Sequence, residues 1–224
     1  MLRAEGLIMV YNALRLLFSR WFPVTAHRAD FVDLNLLPDT RRPNSPPWGF
    51  EVARRGVAFH EAGHAVVGMT RGMRLKRIRL LEERLRRLGQ GIRLSGVTTW
   101  CPGWVDEIDF AVQCAAGAVA EQAYFESAGL LTPDTASLLD AAHDRDLAVA
   151  ALARSGFELM LSGPAPVGGA SWPAISQQAA RDVERLWGPI TAVVDALADT
   201  PRGLLESADV VRVTGLSNPS PGTR

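Results

Sequence analysis

The sequence predicts a mainly α-helical domain with a small β element, an α+β arrangement. Its 224 residues are 47% hydrophobic and 21% charged, values that suit one globular domain with a real core. Apolar residues recur at helical spacing in several long segments. Between residues 73 and 100 lie two apolar runs on either side of a charged middle, a pattern typical of two short strands.

Four segments of the chain are predicted to form helices. The first covers about Glu51–Arg71 and stops at Gly72, a typical helix-ending residue. The second covers about Val105–Ala128, and the third ends at Ala153. After a loop by composition at 162–173, the fourth covers 175–199, where these apolar residues share one face: Val183, Leu186, Ile190, Val193, Val194 and Leu197.

Composition divides the chain into four parts. Residues 1–37 form an N-terminal arm that contains the apolar run GLIMVYNALRLLF. This run is too short to span a bilayer and is interrupted by Asn12 and Arg15. We therefore predict a docked amphipathic helix. Residues 38–49 are a Pro-rich linker. The domain itself is expected at 50–215, followed by a disordered tail at 216–224.

Charge and cysteine content exclude several classes of protein. The formal net charge is zero, so nothing favours nucleic acid as a partner. The arginines between Arg71 and Arg93 are expected to face solvent, with an anion-binding patch as the alternative. Cys101 and Cys114 are too few for a disulfide framework, and a reduced, cytoplasmic protein without a transmembrane span is expected.

A possible metal-binding motif lies in GVAFHEAGHAVVGMT, residues 56–70, where His60, Glu61 and His64 interrupt an otherwise uncharged segment. Residues four apart lie on one face of a helix, so the two imidazoles can bind one tetrahedral Zn²⁺. Glu61 lies on the adjacent flank, where it can act as general base toward a metal-bound water. Burying these groups is costly unless a cation compensates them. The alternative is a helix whose histidines are merely hydrogen-bonded in the core.

A catalytic zinc site takes a third protein ligand and leaves a position for water. Four residues downstream are candidates, in two predicted helical segments that can fold back over the first: Glu121, His143, Asp144 and Asp146. Cys101, in TTWCPGW, is expected to be an ordinary cysteine rather than a thiolate on the metal.

These residues resemble a known family. FHEAGHAVVG, residues 59–68, is similar to the His-Glu-Ala-Gly-His-Ala motif of the FtsH-type zinc metalloproteases. AAGAVAEQAYF, residues 115–125, resembles the family's Gly-x-x-Ala-Glu segment, and HDRDLAVA, residues 143–150, resembles its Asn-Asp-Leu-x-x-Ala segment. The last helix and LLESADVVRV extend the resemblance, which covers about residues 50–215.

The resemblance implies a zincin-like helical protease domain with HExxH on its active-site helix and zinc held by two histidines and an aspartate. We choose Asp146 as that aspartate, because Leu147 and Ala150 follow it at the family's spacing and its helical face is small and apolar. Asp144 is the alternative. Glu121 is expected to hydrogen-bond to a ligand histidine and orient it.

The predicted function is that of a zinc-dependent metallopeptidase with Glu61 as general base. The 224 residues contain no Gly-x-x-x-x-Gly-Lys-Ser/Thr phosphate loop, so we expect activity without an ATPase of its own. The expected substrates are peptides or unfolded protein segments, with a partner protein or an oligomer as further possibilities. The competing hypothesis is a zinc-stabilised, protease-like binding or regulatory module without turnover.

Overall fold

One long buried helix carries the predicted metal-binding motif. The computed structural model describes residues 27–28, 32–34, 49–85, 91–136, 139 and 142–220. Helix α1 spans Phe50–Thr70, one residue earlier than predicted at each end. Every residue from Gly56 to Met69 is buried, because the segment is apolar or small almost throughout.

Helix α2, Glu107–Ser127, packs closely against α1. It begins at Asp106, whose side chain accepts the backbone N–H groups of Ile108 and Asp109. A Cβ at Gly63 would lie 2.5 Å from the carbonyl oxygen of Ala116. The lack of a side chain at Gly63 therefore allows the two helix backbones to approach each other.

The remaining helices cover the other sides of this pair. They are α3 (Pro133–Ala136), α4 (Ala142–Arg154), α5 (Trp172–Arg185), α6 (Trp187–Asp199) and α7 (Ser207–Thr214). The single helix predicted for 175–199 is broken at Leu186. Pro189 explains the break, because it donates no backbone N–H and its ring clashes with the carbonyl four residues earlier in a continuous helix.

The β element is a small antiparallel sheet. Strand β3 (Leu75–Leu85) pairs along its length with β4 (Gly91–Trp100), and β7 (Leu204–Glu206) pairs with β3. These two long strands extend further into the charged middle of the segment than predicted. In a separate two-stranded sheet, β5 (Leu159–Met160), just before the predicted loop, pairs in parallel with β6 (Ala170–Ser171), which lies within that loop. The described chain is thus mainly helical with a small sheet, which confirms the predicted α+β class.

Two short strands from the predicted N-terminal arm add to this sheet. Strands β1 (His27–Arg28) and β2 (Val32–Leu34) both pair antiparallel with β4. The amphipathic helix predicted from GLIMVYNALRLLF and the linker up to residue 48 lie outside the described residues. Within the described part of the chain, no helix is long and apolar enough to cross a membrane.

The segment after α7 contains an ordered contact where a disordered tail was predicted. The Asn218 side chain accepts the backbone N–H of Leu75 and donates to its carbonyl, each at 2.9 Å. The chain at Asn218 is therefore held against β3. Residues 221–224 lie outside the described residues.

An arginine at the end of α1 joins three helices. Arg71 donates to Asp182 on α5 and forms an ion pair with Asp109 on α2. Burial would raise the pKa of Asp182, but Arg185 and Arg71 outweigh it and lower that pKa. The contact fixes the end of the motif helix against its neighbours.

Candidate metal centre

The two motif histidines lie side by side in the interior. His60 and His64 are 4% and 0% exposed, and their ring centroids are 4.7 Å apart. Their spacing of four residues places both rings on one face of α1, as the sequence predicted. The opposite side of the rings is bounded by α2, and this neighbour determines how each ring is turned.

Each histidine is held through its Nδ1 atom by a different residue of α2. His64 Nδ1 donates to the backbone carbonyl of Gln113 at 2.8 Å, and His60 Nδ1 donates to Glu121 Oε2 at 3.1 Å. This arrangement turns the Nε2 atoms of both rings toward a third element. Glu121 is buried, and its contact with His60 fits a residue that orients this ring.

The third element is α4, which supplies Asp144. Its Oδ2 atom lies 3.0 Å from His60 Nε2 and 3.3 Å from His64 Nε2. In a tetrahedral zinc site with bonds of about 2.0–2.1 Å, neighbouring ligand atoms lie about 3.3 Å apart. His60, His64 and Asp144 each offer one ligand atom, and these atoms all lie within 4.8 Å of one another. The group could therefore hold a metal ion.

The structure brings Asp144, rather than the predicted Asp146, to the two histidines. Asp144 is 2% exposed and shares the buried face of α4 with Ala148, Ala151 and Leu152. Asp146 is exposed and does not join the histidines. Residues two apart on a helix are separated by about 200°, so turning one aspartate inward turns the other outward. His143, the remaining candidate on α4, is half-buried and does not belong to the group either.

Glu61 lies deep in the protein beside the histidines. It is fully buried, and its Oε2 atom accepts the hydroxyl of Thr98 on β4 at 2.6 Å. Among the described residues, its other carboxylate oxygen, Oε1, has no hydrogen-bond partner. Burial raises the pKa of Glu61, although the nearby histidines and the Thr98 hydroxyl oppose this shift.

The charges around His60 favour a cation at this place. Burial would lower the pKa of His60, but the hydrogen bonds and charges of Asp144 and Glu121 outweigh burial and raise that pKa well above its usual value. Two carboxylates thus stabilise positive charge on one buried ring. A divalent cation bound at Nε2 would take the place of the second proton on that ring.

A glycine on α2 keeps the space in front of the histidine ring nitrogens open, because it has no side chain. A Cβ at Gly117 would overlap His64 Nε2 and lie 2.8 Å from His60 Cδ2. Two imidazoles and one carboxylate also form a donor set that suits zinc. The donor atoms, their spacing and this cradle fit a zinc ion.

Sequence reasoning missed three contributors to this site. They are the Gln113 carbonyl, the space at Gly117 and the Thr98 hydroxyl. Gly117 was noted only as a match to a family segment, and nothing in the local sequence marks Gln113 or Thr98. Cys101 is half-buried in the turn after β4, and both cysteines are free.

The chain matches no protein-family model, and no curated protein sequence matches it. The function is therefore inferred from the geometry of the site.

Proposed function

We propose that this chain is a zinc-dependent metallopeptidase of the FtsH-type, zincin-like class. The observation that carries the proposal is the position of Glu61. It is a fully buried carboxylate beside the His60, His64 and Asp144 group, with one oxygen free of hydrogen bonds among the described residues. A purely structural zinc site has no need of such a base.

The proposed reaction assigns separate roles to the residues of the site. His60, His64 and Asp144 would hold the metal, and Glu121 would keep His60 turned toward it. Zinc bound there would lower the pKa of a coordinated water and polarise the scissile carbonyl. Glu61 would take the proton of that water on its free oxygen and pass it to the leaving amine.

The substrate class follows from what the site can accept. Because Glu61 is fully buried, a folded protein surface cannot reach it in this conformation. We propose extended peptides or unfolded protein segments as substrates. The same burial favours a second candidate, in which zinc stabilises a protease-like binding or regulatory module that performs no turnover.

Replacement of the general base distinguishes the two candidates. We expect Glu61→Gln to bind zinc like the wild type but to cleave a library of unfolded, quenched fluorogenic peptides about 10²–10⁴ times more slowly. The matched control is Glu51→Gln on the exposed first turn of the same helix, which should cleave normally. Zinc-loaded wild-type protein that cleaves no peptide would favour the binding module. Equal turnover by Glu61→Gln would refute the role of Glu61.

A further inference from the structure

Strand β4 crosses α1 at Glu61 and makes two contacts with its side chain. A Cβ at Gly96 would lie 2.5 Å from Glu61 Oε1, so the carboxylate occupies the space that a side chain at position 96 would fill. Two residues along the same strand, the Thr98 hydroxyl reaches Glu61 Oε2. Alternate residues of a strand face the same side, which is why both contacts meet one carboxylate.

The hydrogen bond from Thr98 is a strong one. Its length of 2.6 Å is typical of a hydroxyl that donates to a charged carboxylate. Thr98 is fully buried, and the backbone carbonyl of Glu61 lies farther from its hydroxyl, at 3.1 Å. A buried hydroxyl between these two acceptors holds the rotamer of Glu61 and leaves Oε1 as the oxygen without a described partner.

We infer that Thr98 is a positioning residue for the general base. This inference rests on the proposed function. Thr98 holds Oε2 of Glu61 and so limits the positions that Oε1 can take beside the candidate metal ligands. Catalytic groups work only within a narrow range of distance and angle, and a carboxylate on a flexible side chain reaches that range when a neighbour fixes it. Among the described residues, the hydrogen bonds of the Thr98 hydroxyl go to Glu61 and not to His60, His64 or Asp144.

The test compares Thr98→Val, which keeps the shape and removes the hydroxyl, with Thr98→Ser, which keeps the hydroxyl. Thr99→Val is the matched control, because Thr99 is the next residue of β4 and points to the other face. Zinc-loaded proteins are measured for zinc affinity, for thermal unfolding, for kcat and KM on peptides, and for binding of acetohydroxamate. This small chelator binds zinc and gives its proton to a nearby carboxylate, so it reports the position of Glu61 without any turnover.

We expect Thr98→Val to bind zinc normally, to bind acetohydroxamate about 10 times more weakly and to lose about 10-fold to 100-fold in kcat with a smaller change in KM. Thr98→Ser should restore both values, and Thr99→Val should behave like the wild type. A role in folding alone would change only the unfolding temperature, and unchanged acetohydroxamate affinity in Thr98→Val would overturn the inference. If no protein cleaves peptides but Thr98→Val still weakens acetohydroxamate binding, the proposed function fails and the positioning role stands. If acetohydroxamate does not bind the zinc-loaded wild type, both are overturned.

Discussion

The sharpest prediction concerns Asp144, the third candidate metal ligand beside the two histidines. Asp144→Asn removes the charge of Asp144 and keeps its shape and one oxygen atom. A carboxylate about 2.1 Å from a doubly charged ion contributes about 4 kcal/mol even with the dielectric constant of water, about 80. Because about 1.4 kcal/mol corresponds to a factor of ten, zinc affinity should fall by at least about 10³-fold. The low exposure of Asp144 means that water screens this charge less than the figure assumes.

Competition with a zinc-chelating dye measures this affinity directly. Asp146→Asn is the matched control, since it makes the same chemical change on the exposed face of the same helix. It should bind zinc within a factor of about two of the wild type, because exposed charges at a distance are well screened. A large loss in Asp146→Asn together with a small loss in Asp144→Asn would refute the assignment. Circular dichroism of both variants shows whether α4 stays folded.

Three further predictions concern the surroundings of the ring nitrogens. Gly117→Ala should weaken zinc binding at least 10-fold, because its Cβ would overlap His64 Nε2, and normal zinc content in this variant would contradict the cradle. Glu121→Gln should weaken zinc binding about 10-fold to 100-fold by loosening the orientation of His60, and unchanged affinity would show that Glu121 only packs. In chelator-treated protein, the raised pKa of His60 means that the folded state binds a proton more tightly than the unfolded state. The stability that this proton contributes should be fully present below about pH 6.5 and should be lost as pH rises through the raised pKa. Urea unfolding measured at a series of pH values should show this loss in the wild type. His60→Gln should flatten the dependence on pH.

The site residues that local sequence predicted all lie on one helix. His60, Glu61 and His64 lie within five residues, and the helical repeat alone places the two imidazoles on one face. The same reasoning located α1 and α2 to within about two residues and predicted the mainly helical class. The FtsH-type resemblance and the peptidase function remain proposals that these experiments test.

The contacts that only the tertiary structure shows are between residues far apart in the chain. Asp144 and Asp146 lie on the same short helix, and only the rotation of α4 against the histidines decides which of them reaches the interior. The spacing pattern favoured Asp146, the exposed aspartate, because a pattern does not contain that rotation.

Thr98 contacts Glu61 across 37 positions of sequence, and the Gln113 carbonyl contacts His64 across 49. The sequence by itself placed the two imidazoles and the Glu61 carboxylate together, since their relative positions are a property of one helix. The tertiary structure decided which aspartate joins the two histidines and which groups orient these side chains, because both depend on how separate elements pack.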